Sequence, residues 1–229
     1  MRMNIRHSVK AAILAVICLA AMQSDGAMAQ DSAAERLLAA AECGSLENHY
    51  GPFDYTNPTH AAEKLPIVEI AHFNTDVETL RSGQTADMPG WDLHYTLGTF
   101  PNHHRALYSM ALYALRHKDE KVPPGARFSG DCYFQRAITF RPDDAVVRLI
   151  YSIFLSRDGH RSEAIEQLNT ALEFDANNAE IHYNLGLLYE KSGQDELALA
   201  HARRAYEIGY PLPGLRHILE RKGVWNNDD

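Results

Sequence analysis

The chain has 229 residues, with 22 Lys and Arg against 30 Asp and Glu, which gives a formal net charge of −8. This acidic balance, without basic runs, argues against binding to nucleic acid or to an anionic lipid surface. Hydrophobic residues make up 45% of the chain, as expected for a folded domain with its own core.

Residues 1–29 carry the pattern of an export signal. Three basic residues precede an apolar run at 11–22, and Ala-Met-Ala at 27–29 forms a small-residue cleavage site. The run is too short to anchor the chain stably across a bilayer, and no later stretch is long enough to span one. The pattern predicts cleavage after Ala29 and a periplasmic or secreted protein. The alternative is an uncleaved N-terminal anchor.

The segment 30–88 is predicted to contain an N-terminal helix and loops, and the sequence does not determine how residues 60–90 fold. Residues 31–42 are rich in Ala and Leu and predict the helix. The apolar run 67–73 fits a strand or a helix equally well. Thr75 and Glu78 have the spacing of a capping box, which predicts a short helix beginning there.

Two cysteines, Cys43 and Cys132, follow the predicted cleavage site. In an oxidising compartment such a pair is more often bridged than free, so we expect a disulfide between them. The chain has no Cys-x-x-Cys sequence, so neither thioredoxin-like redox chemistry nor haem attachment is supported.

A repeat of 34 residues occupies the C-terminal part of the chain. Five residues recur in the same order 34 positions later: Ala145, Gly159, Ala164, Ala171 and Glu173 return as Ala179, Gly193, Ala198, Ala205 and Glu207. Self-similarity at a fixed period is typical of stacked helical hairpins, each of which buries its apolar face against the next.

The repeats also share the signals that begin and end helices. Asp144 and Asn178 stand just before the repeated alanines and predict N-caps at equivalent points. Gly193 is predicted to adopt a positive φ where the first helix of the last hairpin ends. These signals place a turn between two helices in each unit.

The last unit resembles the tetratricopeptide repeat, a 34-residue hairpin with Leu-Gly, Tyr, two Ala and a closing Pro. The matching residues are Leu185, Gly186, Tyr189, Ala198, Ala205 and Pro211. In the preceding unit Tyr151 and Ser152 replace Leu-Gly, and the first unit has an insertion around Pro124. The resemblance implies an all-α, tetratricopeptide-like helical-hairpin array over 89–212. A capping helix and tail follow at 213–229.

The resemblance also implies a binding surface, because the first helix of each hairpin lines the concave wall in this family. The positions that correspond to polar or aromatic wall residues are Arg105, Tyr108, Arg116, Arg157, Tyr183, Asn184 and Lys191. Such a wall can bury apolar side chains of a peptide and bind its carboxylates. Leu149, Ile150 and Ile153 fit either the floor of the groove or the contact with the next repeat.

Histidine could suggest a metal site, because His94, His103 and His104 lie close in sequence and imidazole binds Zn or Cu. However, the chain has no His-x-x-x-His sequence, which would place two ligands on one helical face. Solvated or capping histidines are the better interpretation. The chain also lacks a hydrolase elbow and a phosphate-binding loop, so we expect neither an enzyme nor a cofactor.

The sequence therefore predicts an exported adaptor or assembly factor of the cell envelope that holds a protein or peptide partner in the groove of its repeats. Two alternatives stay open at this point. One is an accessory protein of cytochrome c maturation that presents an apoprotein. The other is a metal-binding protein that uses the three histidines.

Overall fold

In a computed structural model of the chain, residues 43–226 are described, and every helix or strand assigned among them is an α-helix. The chain divides into two compact units, Met1–Gly44 and Ser45–Asp229. Only Cys43 and Gly44 of the first unit belong to the described residues. The predicted export signal and the predicted helix at 31–42 lie outside them.

Eleven helices follow one another in the described residues. They are α1 (Pro58–Glu63), α2 (Leu65–His72), α3 (Thr75–Glu78), α4 (Pro89–Thr99), α5 (His104–Arg116), α6 (Gly130–Phe140), α7 (Ala145–Asp158), α8 (Arg161–Phe174), α9 (Ala179–Lys191), α10 (Asp195–Ile208) and α11 (Gly214–Arg221). The pairs α5–α6, α7–α8 and α9–α10 form three hairpins, and α11 packs on the last of them. The predicted all-α class is confirmed. Between residues 43 and 226, no helix has the length and apolar character needed to cross a membrane.

The predicted helix boundaries in the repeats are confirmed. The Asp144 carboxylate accepts hydrogen bonds from the backbone N–H groups of Val146 and Val147 at the start of α7. Asn178 caps α9 in the same way. Gly193, which follows α9, has a φ of +72°, as its place in the turn requires.

Small residues let the helices of the array approach closely. Ala164 and Ala198 have no exposed surface. At Gly186 on α9 an added Cβ would lie 2.5 Å from Leu215 Cδ2, so glycine makes room for α11 at this point. The small cluster of Ala198, Ala202, Leu215 and Leu219 is separate from the main hydrophobic core, which extends from Phe73 to Leu188.

In the segment before the repeats, the structure decides between strand and helix for the apolar run at 67–73, and it corrects the predicted cap of α3. The apolar run at 67–73 is helical and lies mostly in α2. The predicted capping box of Thr75 and Glu78 is wrong, because Thr75 is the first residue of α3 and not its N-cap. Asn74, one residue earlier, accepts from the N–H groups of Asp76 and Val77, both at 3.0 Å. A short amide side chain just before a helix satisfies these donors directly, while the Glu78 carboxylate binds elsewhere.

A polar network with buried Asp54, Asn102 and Asp144 at its centre joins the loop before α1 to the repeats. Asn102 Nδ2 donates to Asp54 Oδ1 at 2.9 Å and to Asp144 Oδ2 at 3.0 Å. His104 Nε2 donates to the Asp144 carboxylate at 2.9 Å, and Arg141 Nη1 donates to Asp54 Oδ2 at 2.6 Å. We call these five residues the Asp144 network. Buried polar groups that are fully paired in this way stabilise one arrangement of the chain.

Cys43 and Cys132 are each disulfide-bonded, as the sequence predicted. A disulfide is the usual state of paired cysteines in an oxidising compartment.

Candidate functional site

The first helices of the three hairpins line a groove with two cavities. The larger has a volume of about 640 Å³ and lies among Arg105, Tyr108, Ser109 and Leu112 of α5, Val146, Leu149, Ile150 and Ile153 of α7, and Glu78, Thr79, His104 and Glu180. The smaller, of about 200 Å³, is lined by Tyr108, Ser152, Ile153, Ser156, Arg157, Asn184, Leu187, Leu188 and Lys191. Tyr108 and Ile153 line both cavities, so the two adjoin. We call the two cavities together the groove.

The floor of the larger cavity is apolar and belongs to the hydrophobic core at the same time. Leu149 and Ile150 are buried, with 4% and 7% of their surface exposed, and both are part of the main core cluster. Ile153 is half-buried and packs against that cluster. These three residues therefore fill both roles that the sequence left open, since one face of each side chain can pack inward while another faces the cavity.

Arg105 lies at the rim of the larger cavity, where two carboxylates already bind it. Its Nε and Nη2 atoms donate to the two oxygens of Glu78 at 2.8 and 2.5 Å, and Nη1 donates to Glu69 at 3.1 Å. The hydrogen bonds from Arg105 are the main reason why the pKa of Glu78 lies below its ordinary value. The positive charge of Arg105 is therefore compensated within the chain.

The smaller cavity has a different charge. Arg157 and Lys191 line it, and both are exposed. Within residues 43–226, neither side chain makes a hydrogen bond or an ion pair. Asn184, which also lines this cavity, donates from Nδ2 to the Glu180 carbonyl at 2.9 Å. This end of the groove thus carries two positive charges that no group among the described residues compensates.

The structure brings five of the seven predicted contact residues to the groove, namely Arg105, Tyr108, Arg157, Asn184 and Lys191. The other two have partners within the chain. Arg116 Nη1 donates to the Leu80 carbonyl at 3.2 Å. Tyr183 stacks on Tyr210 with ring centroids 4.0 Å apart. The role of all seven as partner contacts stays a prediction.

Sequence reasoning missed the acidic side of the groove. Glu78 lines the larger cavity, and Glu69 lies behind it against Arg105. Both belong to the segment before the repeats, where no periodic pattern indicates which surface they face. The Ser152 and Ser156 hydroxyl groups of the smaller cavity were also missed, although their spacing from Ile153 and Arg157 on the same helix was a usable signal.

The three candidate metal-binding histidines have separate partners. His94 Nδ1 is 3.0 Å from the Tyr133 hydroxyl, and His104 binds Asp144. His103 caps α5, because its Nδ1 accepts from the N–H of Ala106 while Nε2 donates to Glu69. No group of three or more His, Cys, Asp or Glu side chains in the described part of the chain could hold a metal ion.

Buried His103 and half-buried His94 and His201 are expected to make the stability of the fold depend on pH. Burial lowers the pKa of His94 and His103 below the ordinary value, and burial beside His182 lowers the pKa of His201 to about 4. Between the ordinary pKa of about 6.5 and these lower values, the unfolded chain binds more protons than the folded chain. The free energy of unfolding should therefore fall as the pH decreases from about 6.5 towards 4.

We expect the melting temperature to decrease steadily from pH 7 to pH 4.5, and to decrease less steeply in a His201→Gln variant. Glutamine keeps a polar side chain at this position and binds no proton in this range. Thermal unfolding followed by circular dichroism at closely spaced pH values checks both expectations. Equal slopes for the two proteins would exclude His201 as a contributor.

Comparison with known proteins supports the repeat. Residues 159–193 match a family model described as TPR repeat, so the chain contains a tetratricopeptide repeat, as the sequence predicted. The match covers α8 and α9. No curated protein matches the chain.

Distant similarities to solved structures also exist. A structure of MamA AMB-1 is 21% identical, covers 52% of this chain and 66% of its own, and superposes with a TM-score of 0.39. A structure of MamA MSR-1 is 19% identical, covers 62% of this chain and 76% of its own, with a TM-score of 0.42.

Proposed function

We propose that this chain is an exported adaptor or assembly factor of the cell envelope, and that it holds a segment of a polypeptide partner in the groove. The single observation that carries this proposal is an apolar-floored cavity that adjoins a smaller cavity with two cations, Arg157 and Lys191, which have no ion-pair partner in the described part of the chain. A groove of this kind can bury side chains of a peptide while it binds polar groups of the same segment. The proposed activity is binding, without catalysis.

Two further observations support the proposal. The chain contains a tetratricopeptide repeat, and stacked helical repeats provide extended surfaces for protein partners. The N-terminal signal pattern and the disulfide-bonded cysteines are both typical of exported proteins. Together they support a binding protein that works outside the cytosol.

Site-specific crosslinking at Tyr108 tests the proposed binding surface. Tyr108 lines both cavities and is 39% exposed, whereas Tyr95 on α4 is 40% exposed and is not among the groove residues. Each tyrosine is replaced in turn by the photoreactive benzoylphenylalanine, and intact cells are irradiated. We expect a discrete polypeptide adduct at position 108 and none at position 95.

Cell fractionation and N-terminal sequencing of the same proteins test export, with a mature N-terminus at Gln30 as the expected result. Adducts of equal yield at both positions, or at position 95 alone, would show that the partner does not occupy the groove. An intact N-terminus in the cytosolic fraction would overturn the proposed location.

A further inference from the structure

We propose that the groove selects an internal polypeptide segment in which an acidic side chain lies two or three residues from an aliphatic or aromatic one. The acidic group binds at Arg157 and Lys191, and the apolar group enters the larger cavity. This inference rests on the proposed function and adds the chemistry and the orientation of the bound segment.

The distribution of charge determines which group enters which cavity. At the larger cavity the positive charge of Arg105 is compensated by Glu69 and Glu78, and Glu180 adds a further negative charge to the lining. An acidic ligand group is disfavoured there, while the floor of Leu149 and its neighbours offers apolar surface. At the smaller cavity, a carboxylate gains two cations that have no partner among the described residues.

Helix geometry determines the spacing of the two ligand groups. Ile150 and Ile153 in the larger cavity precede Arg157 by seven and four residues on α7, so they lie about 6–10 Å from it along the helix axis. An extended peptide advances about 3.3 Å per residue. An apolar and an acidic side chain therefore reach their cavities together when they are two or three residues apart.

The position of the two cations has another physical explanation, which the experiment must separate from ligand binding. Arg157 and Lys191 lie in the last turns of α7 and α9, where a positive charge interacts favourably with the helix dipole. Arg221 occupies the last turn of α11 in the same way but is not a groove residue. It is therefore a suitable control.

The test is selection of binders from a display library of random 12-residue peptides that are flanked on both sides by carrier sequence. The flanks exclude a free C-terminal carboxylate, so any acidic preference belongs to a side chain. The purified protein is compared with Arg157→Glu/Lys191→Glu. The control Arg221→Glu/Lys121→Glu changes the net charge equally at two exposed positions outside the groove. Circular dichroism and thermal unfolding establish that each variant is folded.

We expect the unchanged protein and the control to enrich Asp or Glu at the stated spacing from Leu, Ile, Phe or Tyr. A peptide selected in this way should bind the groove variant about 10- to 100-fold more weakly. Selections on the groove variant should lose the acidic preference or replace it by Lys and Arg at the same position.

Two results would overturn the inference, and they differ in what they imply for the proposed function. Peptides that lose binding with Tyr108→Ala but not with Tyr95→Ala, yet show no acidic preference, would leave the groove as the binding site and contradict the selection rule. Recovery of no peptide, or of peptides equally sensitive to both tyrosine variants, would contradict the groove as a peptide site and the selection rule with it.

Discussion

Replacing Gly90 by alanine is expected to lower the free energy of unfolding by about 2 kcal/mol or more, although alanine is the better helix former. Gly90 lies in the first turn of α4, against the loop that connects α5 to α6. An added Cβ would lie 2.0 Å from the Pro124 carbonyl oxygen and 2.8 Å from the Ala126 nitrogen. Both are backbone atoms, so no side chain can rotate away, and α4 must separate from the loop.

Gly98→Ala in the same helix is the matched control for this prediction. There the added Cβ would lie 3.2 Å from the Nδ2 atom of Asn48, an exposed side chain that can move. The helix propensity of alanine should dominate, and we expect no change or a gain of up to about 1 kcal/mol. Chemical denaturation of both variants measures the difference. Equal stabilities would mean that the contact of Gly90 with the loop is dispensable.

Replacing Asp144 by alanine is the second change with a large expected effect, a loss of about 2–4 kcal/mol. Part of the loss is the N-cap of α7, which is worth about 1 kcal/mol. The rest comes from the Asp144 network, because Asn102 and His104 lose the carboxylate to which they donate. Burial alone would raise the pKa of Asp144, but the hydrogen bonds from His104 and Asn102 outweigh it and hold this pKa below its ordinary value.

Asn178→Ala isolates the contribution of the cap. Asn178 stands at the equivalent position before α9 and accepts the same two backbone hydrogen bonds. Its one further side-chain hydrogen bond among residues 43–226 is donated to exposed Asp175. We expect it to cost about 1 kcal/mol. Chemical denaturation of both variants measures the two losses in free energy of unfolding. The loss in Asp144→Ala minus the loss in Asn178→Ala is the contribution of the Asp144 network. If the two losses are the same, the network adds nothing to the cap.

The parts of the fold that sequence reasoning predicted depend on local signals. Asp144 and Asn178 bind backbone groups two and three residues away, and Gly193 needs only its own φ, so these features are readable from a short stretch of sequence. The 34-residue period then relates one hairpin to the next.

The parts that were missed depend on contacts between distant residues. Arg105 meets Glu78 and Glu69, which precede it by 27 and 36 residues in a segment without a repeat. The repeat pattern predicted that Arg105 lies in the groove. It did not predict that Glu69 and Glu78 compensate the charge of Arg105. The capping box at Thr75 failed for a related reason, because Glu78 has a stronger partner in Arg105 than in the backbone of its own helix.

The separate cluster beneath α10 and α11 implies that stability is not uniform along the chain. Its buried members are two alanines and two leucines, so it buries far less apolar surface than the main core. We therefore expect α10 and α11 to open locally more often than the earlier hairpins. Lys191 lies in the last turn of α9, on which α11 packs. The cation end of the groove is therefore next to the two helices that open. A segment bound there would reduce how often this end of the molecule opens.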